Sequence, residues 1–453
     1  MALNPTQIKM IKKFLHSGAE GDIARMIEKI HPTDLTILFS ELAPGDTKRL
    51  LYSLLLVAKA GKTLLELPEF MIPDILESIE NDKLTSMLSR MESDDAFFLL
   101  EKLPESRWKE IIDLLPENQK SKLEKLLIYP KNSAGSVMTS NYLVVHIDMT
   151  VEQAIESLRN KPEIEGIFYI YVINDEGHLL GVQSLRGLVM SKPGAKICDI
   201  MGQEVTSVFA DEPATHAAHI VERYNLLAIP VVTRTRELVG VITVDDVIDI
   251  VKEEAEEDIY NLAGLSGQDR ALTPIVIKIT KRLPWMIMNL FTAALAATVV
   301  GFFQGSIKNM VVLAVFLPII SNIVGNGAIQ SLTVMVRAMA TDEFSFIKGY
   351  KAVFKETMSG AMIGIICGLL MGLAGAFWKQ NWYLGFVLST STILALILGS
   401  FIGAAIPFLF RRLKLDPAVG TSVIITMFTD FISFGLLLEI ATLMMTYLEG
   451  HGV

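Results

Sequence analysis

Two kinds of hydrophobic pattern divide this chain. Up to about residue 275, apolar residues come singly or in small groups, at helical or strand spacing. Beyond that point they form long unbroken runs. Residues 283–307, 309–336, 357–378 and 380–410 contain no Asp, Glu, Lys or Arg, and 417–438 contains one, Asp430. Each run reaches the roughly 20 residues that a membrane-crossing helix needs, so five spans are expected. The first 130 residues are patterned as short helices, as in DLTILFSELAP, FMIPDILESI and DDAFFLLEKLPESRWKEIIDLLPE. Prolines at 44, 68, 104 and 116 are separated by multiples of twelve. That spacing predicts a helix-plus-turn unit, with proline opening the next helix at its first position, stacked into a small superhelical domain. From about 131 the pattern changes to strand, Thr-capped helix, hairpin and helix. It runs once through NYLVVHIDMTVEQAIESLRN and IFYIYVINDEGHLLGVQSL, and again through EVTSVFADEPATHAAHIVERYN and LAIPVVTRTRELVGVITVDDVIDIV.

Four regions follow: an all-α superhelical domain at 1–130, two α/β units at 131–250, an acidic connecting helix at 251–275, and a five-helix α membrane domain at 276–453. The length of 453 residues suits several domains. A hydrophobic content of 51% and a mean hydropathy of +0.43 agree with the spans. Ten basic residues (Lys278, Lys281, Arg282, Arg337, Lys348, Lys351, Lys355, Arg411, Arg412 and Lys414) flank or join the spans on one side, against Lys308 and Lys379 on the other. The positive-inside rule then places the N-terminus and the polar half in the cytoplasm and the C-terminus outside. The opening MALNPTQIKMIKKFL lacks the apolar core of a signal peptide. A net charge of −10 argues against a nucleic-acid partner. Cys198 and Cys367 lie in different layers, so neither a disulfide nor a cysteine metal site is expected. No Ser-His-Asp, Cys-His or HExxH arrangement stands out, and an enzyme is not expected.

Charge placement supplies the candidate chemistry. Between 245 and 260 lie eight acids and one lysine. Asp245, Asp249, Glu253 and Glu257 are four apart and share a helix face. Their mutual repulsion invites counterions, and hard divalent cations favour carboxylate oxygen. In span two, Asn322, Asn326 and Gln330 share one face, on a helix that Pro318, Gly325 and Gly327 loosen. In span five, Ser422, Thr426, Asp430 and Ser433 share another. Two polar faces should turn to each other or to water rather than to lipid. None of the five runs holds a Lys or Arg, which leaves a mobile cation or a bound proton as the partner of Asp430.

The repeated α/β unit, with GVQSLRGL and GVITVDDV at matching places, resembles a tandem CBS-domain pair. That resemblance implies a nucleotide role for Thr243 and Asp246 in the second copy. In the first copy Ser184 is followed three residues later by Gly187 instead of an acid. Along nearly its whole length the chain is similar to the MgtE family of magnesium channels. The motifs that carry the likeness are SAGSVMT at 133–139, TVDDVIDIV at 243–251, EAEEDIYNLAG at 254–264, Pro318 through Asn326 to Gln330, RAMAT at 337–341, and RRLKLDPA ahead of Asp430. It departs from the family pattern at Val324, Val423, Pro213, Thr215 and Asn225. The resemblance implies a homodimer in a cell inner or plasma membrane, surrounded by lipid. Asp430, with Asn322, Asn326, Thr426 and Gln330, would form its pore site for Mg²⁺. Regulatory Mg²⁺ would bind Asp94, Asp95, Asp245, Asp246, Asp249, Glu253, Glu254, Glu257 and Asp258, and the connecting helix would plug the pore. ATP at the CBS pair is left open. Two other readings stand beside it: a proton- or sodium-coupled transporter with discontinuous helices around Pro318 and Gly325, and a membrane-anchored sensor that transports nothing.

Overall fold

The computed structural model describes residues 5–17, 20–42, 44–57, 59–160, 167–265, 274–340, 346–413, 415–417 and 420–444. The chain divides into two compact units, Met1–Glu253 and Glu254–Val453.

The first unit begins with short helices, from Pro5–Ser17 to Glu117–Leu127. A Leu-Pro-Glu junction recurs between them. Leu67, Leu103 and Leu115 are buried, while the following prolines sit outside the helix as its N-cap, at ψ near 130–140°. Glu69, Glu105 and Glu117 then occupy the first turn, where the helix dipole favours negative charge. The proline unit therefore differs from the expectation of proline at the first helical position, which holds for Pro44 alone of the four. Proline's fixed φ suits either place, but the leucine ahead of it must turn into the core. The extended ψ of an N-cap proline achieves that turn.

Two three-stranded sheets follow. In the first, β1 (Leu143–His146) pairs in parallel with β2 (Tyr169–Ile173), which pairs antiparallel with β3 (Leu179–Ser184). In the second, β4 (Val208–Phe209), β5 (Ala228–Val232) and β6 (Leu238–Thr243) repeat the same order. The segment ahead of the first copy is stitched to the second: Ala134 N donates to Glu212 O at 2.7 Å, and Thr139 bridges Val241. One hydrophobic core runs from the helical region into the second copy through Ala210, Ile229, Ile242 and Val247. The first copy keeps its own core around Val145, Ile170 and Leu188. The last helix of the second copy and the acidic stretch form one helix, Val244–Leu262, so no helix boundary falls at 250. It stops where Gly264 adopts φ +69°. Residues 266–273, the end of the expected connecting helix, lie outside the described residues.

The second unit holds five helices long and apolar enough to cross a membrane: Ile275–Phe302, Val312–Ala340, Phe346–Lys379, Trp382–Arg412 and Thr421–Leu443, called spans one to five. Span one ends earlier than its uncharged run, because Gln304–Asn309 forms a separate short helix. Span two runs unbroken through Pro318, Gly325 and Gly327. Membrane helices tolerate such residues because neighbours satisfy the freed backbone groups. Span four is the most buried. Span three closes on it through glycines four residues apart. A Cβ at Gly364 would lie 3.2 Å from Ile393 O, and one at Gly368 would lie 2.8 Å from Ser389 O. Small residues at this spacing let membrane helices approach to backbone contact. Span two meets span four at Gly403, where a Cβ would collide with the carbonyl oxygen of Ala328. A Gly403→Ala variant should therefore lose about 1–3 kcal/mol. Its thermal stability in detergent should fall accordingly; an unchanged melting temperature would contradict this packing.

Candidate ion site and acidic clusters

The buried ridge of span two is apolar, with Ile320, Val324, Ala328 and Leu332 four residues apart. That row dictates where the polar residues go. Asn322, Asn326 and Gln330 lie on the opposite side and are exposed within the chain. Asn326 Nδ2 donates to Asn322 Oδ1 at 2.6 Å, which ties the two amides into one strip. Ser321, between ridge and strip, donates its hydroxyl to Asp430 Oδ1. Of the two outcomes expected for the polar faces, to meet each other or to face water, the amides of span two are exposed within one chain, and the residue of span two that hydrogen-bonds Asp430 is Ser321. It sits one place before Asn322, and its position beside the periodic amides was the signal available.

Span five divides its polar residues in the same way. Thr429 and Ser433 are buried against the bundle, whereas Ser422, Thr426 and Asp430 are half-buried. Thr426 and Thr429 spend their hydroxyls on backbone carbonyls one turn earlier, Ser422 O at 2.8 Å and Thr426 O at 3.0 Å. Ser433 Oγ has no hydrogen-bond partner among the described residues. Packing at this level is close, since a Cβ at Gly399 of span four would lie 2.8 Å from Val324. Asp430 is thus held on a tightly packed backbone and oriented by a neutral hydroxyl.

Outside the spans, carboxylates converge twice. Helix Ser93–Glu101 carries Asp94 and Asp95 in its first turn, and helix Val244–Leu262 carries Asp245 and Asp246 in its own. The helix dipoles favour negative charge at both ends, but the acids crowd one another. Burial, then the charges of Asp246, Asp95 and Glu92, hold the Asp94 carboxyl well above its ordinary range. Burial, then Asp246 and Glu92, push Asp95 up to about 7, against the opposing pull of Lys62. Asp246 is raised to about 6, chiefly by burial. Asp94 Oδ1 is buried without a hydrogen-bond partner among the described residues. Asp246 accepts from Thr243 Oγ1 at 2.8 Å and from the Thr243 backbone, as an N3 acid reaching back to an N-cap does. In the first copy, Ser184 caps helix Leu185–Met190 by accepting from Gly187 N at 3.0 Å. The expected nucleotide residues thus serve as caps.

The second convergence involves Asp258. Burial, then Asp416, Glu254 and Glu257, raise its carboxyl to about 6. Asp416 lies between spans four and five and was not singled out from the sequence, although RRLKLDPA contains it. Leu262, one turn beyond Asp258, packs on Ala328, Leu332, Val336, Ile406 and Ile425 of spans two, four and five. Helix Val244–Leu262 therefore carries two acidic rows. Asp245, Asp249, Glu253 and Glu257 form the exposed one, and Asp246, Glu254 and Asp258 are half-buried. The half-buried row supplies Asp246 and Asp258 to the two clusters. Among the described residues, no group of three His, Cys, Asp or Glu side chains is set to hold a metal ion directly. Carboxylates set too far apart to ligate an ion directly could meet only one that keeps its waters, as Mg²⁺ does.

Comparison with known proteins agrees with this layout. Residues 317–440 match the family described as divalent cation transporter, 30–132 match the MgtE intracellular N domain, and 134–189 and 197–253 match CBS domains. The magnesium transporter MgtE of Bacillus subtilis is 33% identical over 98% of this chain and 99% of its own length. That of Thermus thermophilus is 29% identical over 96% and 98%. Among solved structures, the soluble part of a magnesium transporter matches 55% of this chain and 98% of its own, at 27% identity and a TM-score of 0.50. The cytosolic domain of the Mg²⁺ channel MgtE in complex with ATP matches 54% and 99%, at 31% identity and a TM-score of 0.51. With the N domain, CBS and divalent cation transporter models matched in turn along the chain, and with 33% identity to a magnesium transporter over nearly its full length, the chain belongs to the MgtE family of magnesium transporters.

Proposed function

We propose that two copies of this chain form a channel that passes Mg²⁺ into the cytoplasm and closes when cytosolic Mg²⁺ is high. The observation that carries this reading is Asp430, a carboxylate in mid-span whose described hydrogen bond is to the neutral Ser321. None of the five uncharged runs provides a cation for it. The exposed amide strip of Asn322, Asn326 and Gln330 is costly against lipid, and a second copy across a two-fold axis would line a pore with it. Two Asp430 carboxylates there give a charge of −2, matched to a divalent ion gripped through its waters. The membrane potential drives such an ion inward by about 4.6 kcal/mol per 100 mV. Span two is unbroken, so the discontinuous helix expected of a coupled transporter is not its form here. The loop charges assign the N-terminal half to the cytoplasm and the C-terminus to the outside.

Gating follows from the acidic clusters. Hydrated Mg²⁺ relieves the repulsion between Asp94, Asp95, Asp245 and Asp246, and again between Glu254, Glu257, Asp258 and Asp416. It thereby favours the closed arrangement, in which helix Val244–Leu262 acts as the plug; the exposed acids Asp249 and Glu253 add to the field. Low Mg²⁺ shifts the population to the open state. The ATP-bound relative supports a nucleotide site at the CBS pair, with Thr243, Asp246 and Ser184 as candidates.

Mg²⁺ influx into proteoliposomes tests the pore assignment. Asp430→Ala should lower influx on the order of tenfold or more, since an intramembrane carboxylate of this kind is functional by default. Influx equal to wild type would sink the role. The acidic cluster gives a second prediction. Asp94, Asp95 and Asp246 bind protons more tightly folded than unfolded, so stability falls as pH rises from about 4 to about 7. A fragment of residues 1–265 in chelator should therefore melt lower at about pH 8 than at about pH 5. Added Mg²⁺ should raise the melting temperature at the higher pH only, because it binds the folded, ionised cluster. Equal melting under all four conditions would count against a sensor at these residues.

A further inference from the structure

Spans two, three and four line a half-open cavity of about 440 Å³. Its polar wall is made by Asn326, Gln330 and Ser331 of span two, Glu356 and Ser359 of span three, and Ser400 of span four. The residues come from one face of each helix: 323, 326, 327, 330, 331 and 334 on span two, 356, 359, 360 and 363 on span three, and 396 and 400 on span four. Glu356 stands ten residues inside helix Phe346–Lys379, about 15 Å along its axis. It was no part of the sequence-level site, because the uncharged run begins at the next residue. Every polar group in the wall offers an oxygen, and among the described residues no Lys or Arg lines it. Six waters at about 30 Å³ each come to about 180 Å³, so a fully hydrated divalent ion fits.

We infer that this cavity is a second site for a hydrated divalent cation, anchored by Glu356 and distinct from the Asp430 site. Asn326 and Gln330 lie five and nine residues beyond Ser321, about 8 and 14 Å along span two. Glu356 thus marks a second level along the pore, and the amide strip, whose Asn326 and Gln330 the pore reading shares, runs from the Asp430 level to it. With neutral oxygens contacting its waters and a single carboxylate offsetting half of its charge, the ion is held loosely enough to leave. The inference extends the transport reading above.

The test uses full-length protein in liposomes and two readouts. Influx is measured against Mg²⁺ concentration for wild type, Glu356→Gln, Glu356→Asp and Asp430→Ala. Outer-shell anchors of a metal are worth about 10–100-fold in affinity. Glu356→Gln should thus raise the half-saturating Mg²⁺ concentration about tenfold or more, while Glu356→Asp stays nearer wild type. Separately, Ser359→Cys in a Cys198→Ser, Cys367→Ser background is labelled with a charged thiol reagent. Mg²⁺, but not Na⁺ at equal ionic strength, should slow labelling, and the protection should vanish with Glu356→Gln. An unchanged concentration dependence in Glu356→Gln, or labelling indifferent to Mg²⁺, overturns the site. Should wild type pass no Mg²⁺, the transport reading fails, and labelling still decides whether the cavity binds the ion. Should Glu356→Gln fail to fold, labelling of the Glu356-bearing protein decides alone.

Discussion

A carboxylate removed from water needs a partner, and among the described residues several of this protein's carboxylates are crowded mainly by other acids. Asp430 is offered a hydroxyl. Asp94, Asp95 and Asp246 are crowded mainly by one another, with Lys62 pulling the Asp95 carboxyl back. Asp258 is offered Asp416, Glu254 and Glu257. Left unpaired, such groups shift their pKa or destabilise the fold. Under the proposed function, dissolved divalent cations are the partner common to all of these places. On this view the same ion is cargo in the membrane and ligand outside it.

The scaffold explains how those acids are held together. Helix N-termini carry Asp94, Asp95, Asp245 and Asp246, so part of the repulsion is offset by backbone dipoles before any ion arrives. Shared packing between the helical region and the second CBS copy fixes the two helix ends in one core. In the membrane, glycine contacts between spans two, three and four set the backbone positions from which Ser321, Asn326 and Glu356 project. Rigid packing matters because a hydrated ion is read through its waters, at fixed distances.

Much of this was legible in the sequence. The five spans, the doubled α/β unit and the oddness of Asp430 all follow from hydrophobic runs and periodicity. Asp94 and Asp95 were named by resemblance alone; in the structure the acid of helix Val244–Leu262 that acts most on both is Asp246. Other features were hidden for physical reasons. Periodicity says which residues share a face, but not which face the bundle buries; the ridge Ile320, Val324, Ala328 and Leu332 decides that, and it turns the amides outward. Ser321 and Glu356 sit beside conspicuous residues and matter only through neighbours on other helices. The proline unit misplaced its caps because spacing alone does not fix ψ.

The central claim is that a free divalent cation completes these carboxylates at both levels. Single-channel recording from reconstituted protein, with Mg²⁺ varied on the side of the N-terminal half, addresses it most directly. Discrete Mg²⁺ currents whose open probability falls as that Mg²⁺ rises are the expected result. Flux without unitary currents that requires a proton gradient, or an open probability indifferent to Mg²⁺, would contradict it.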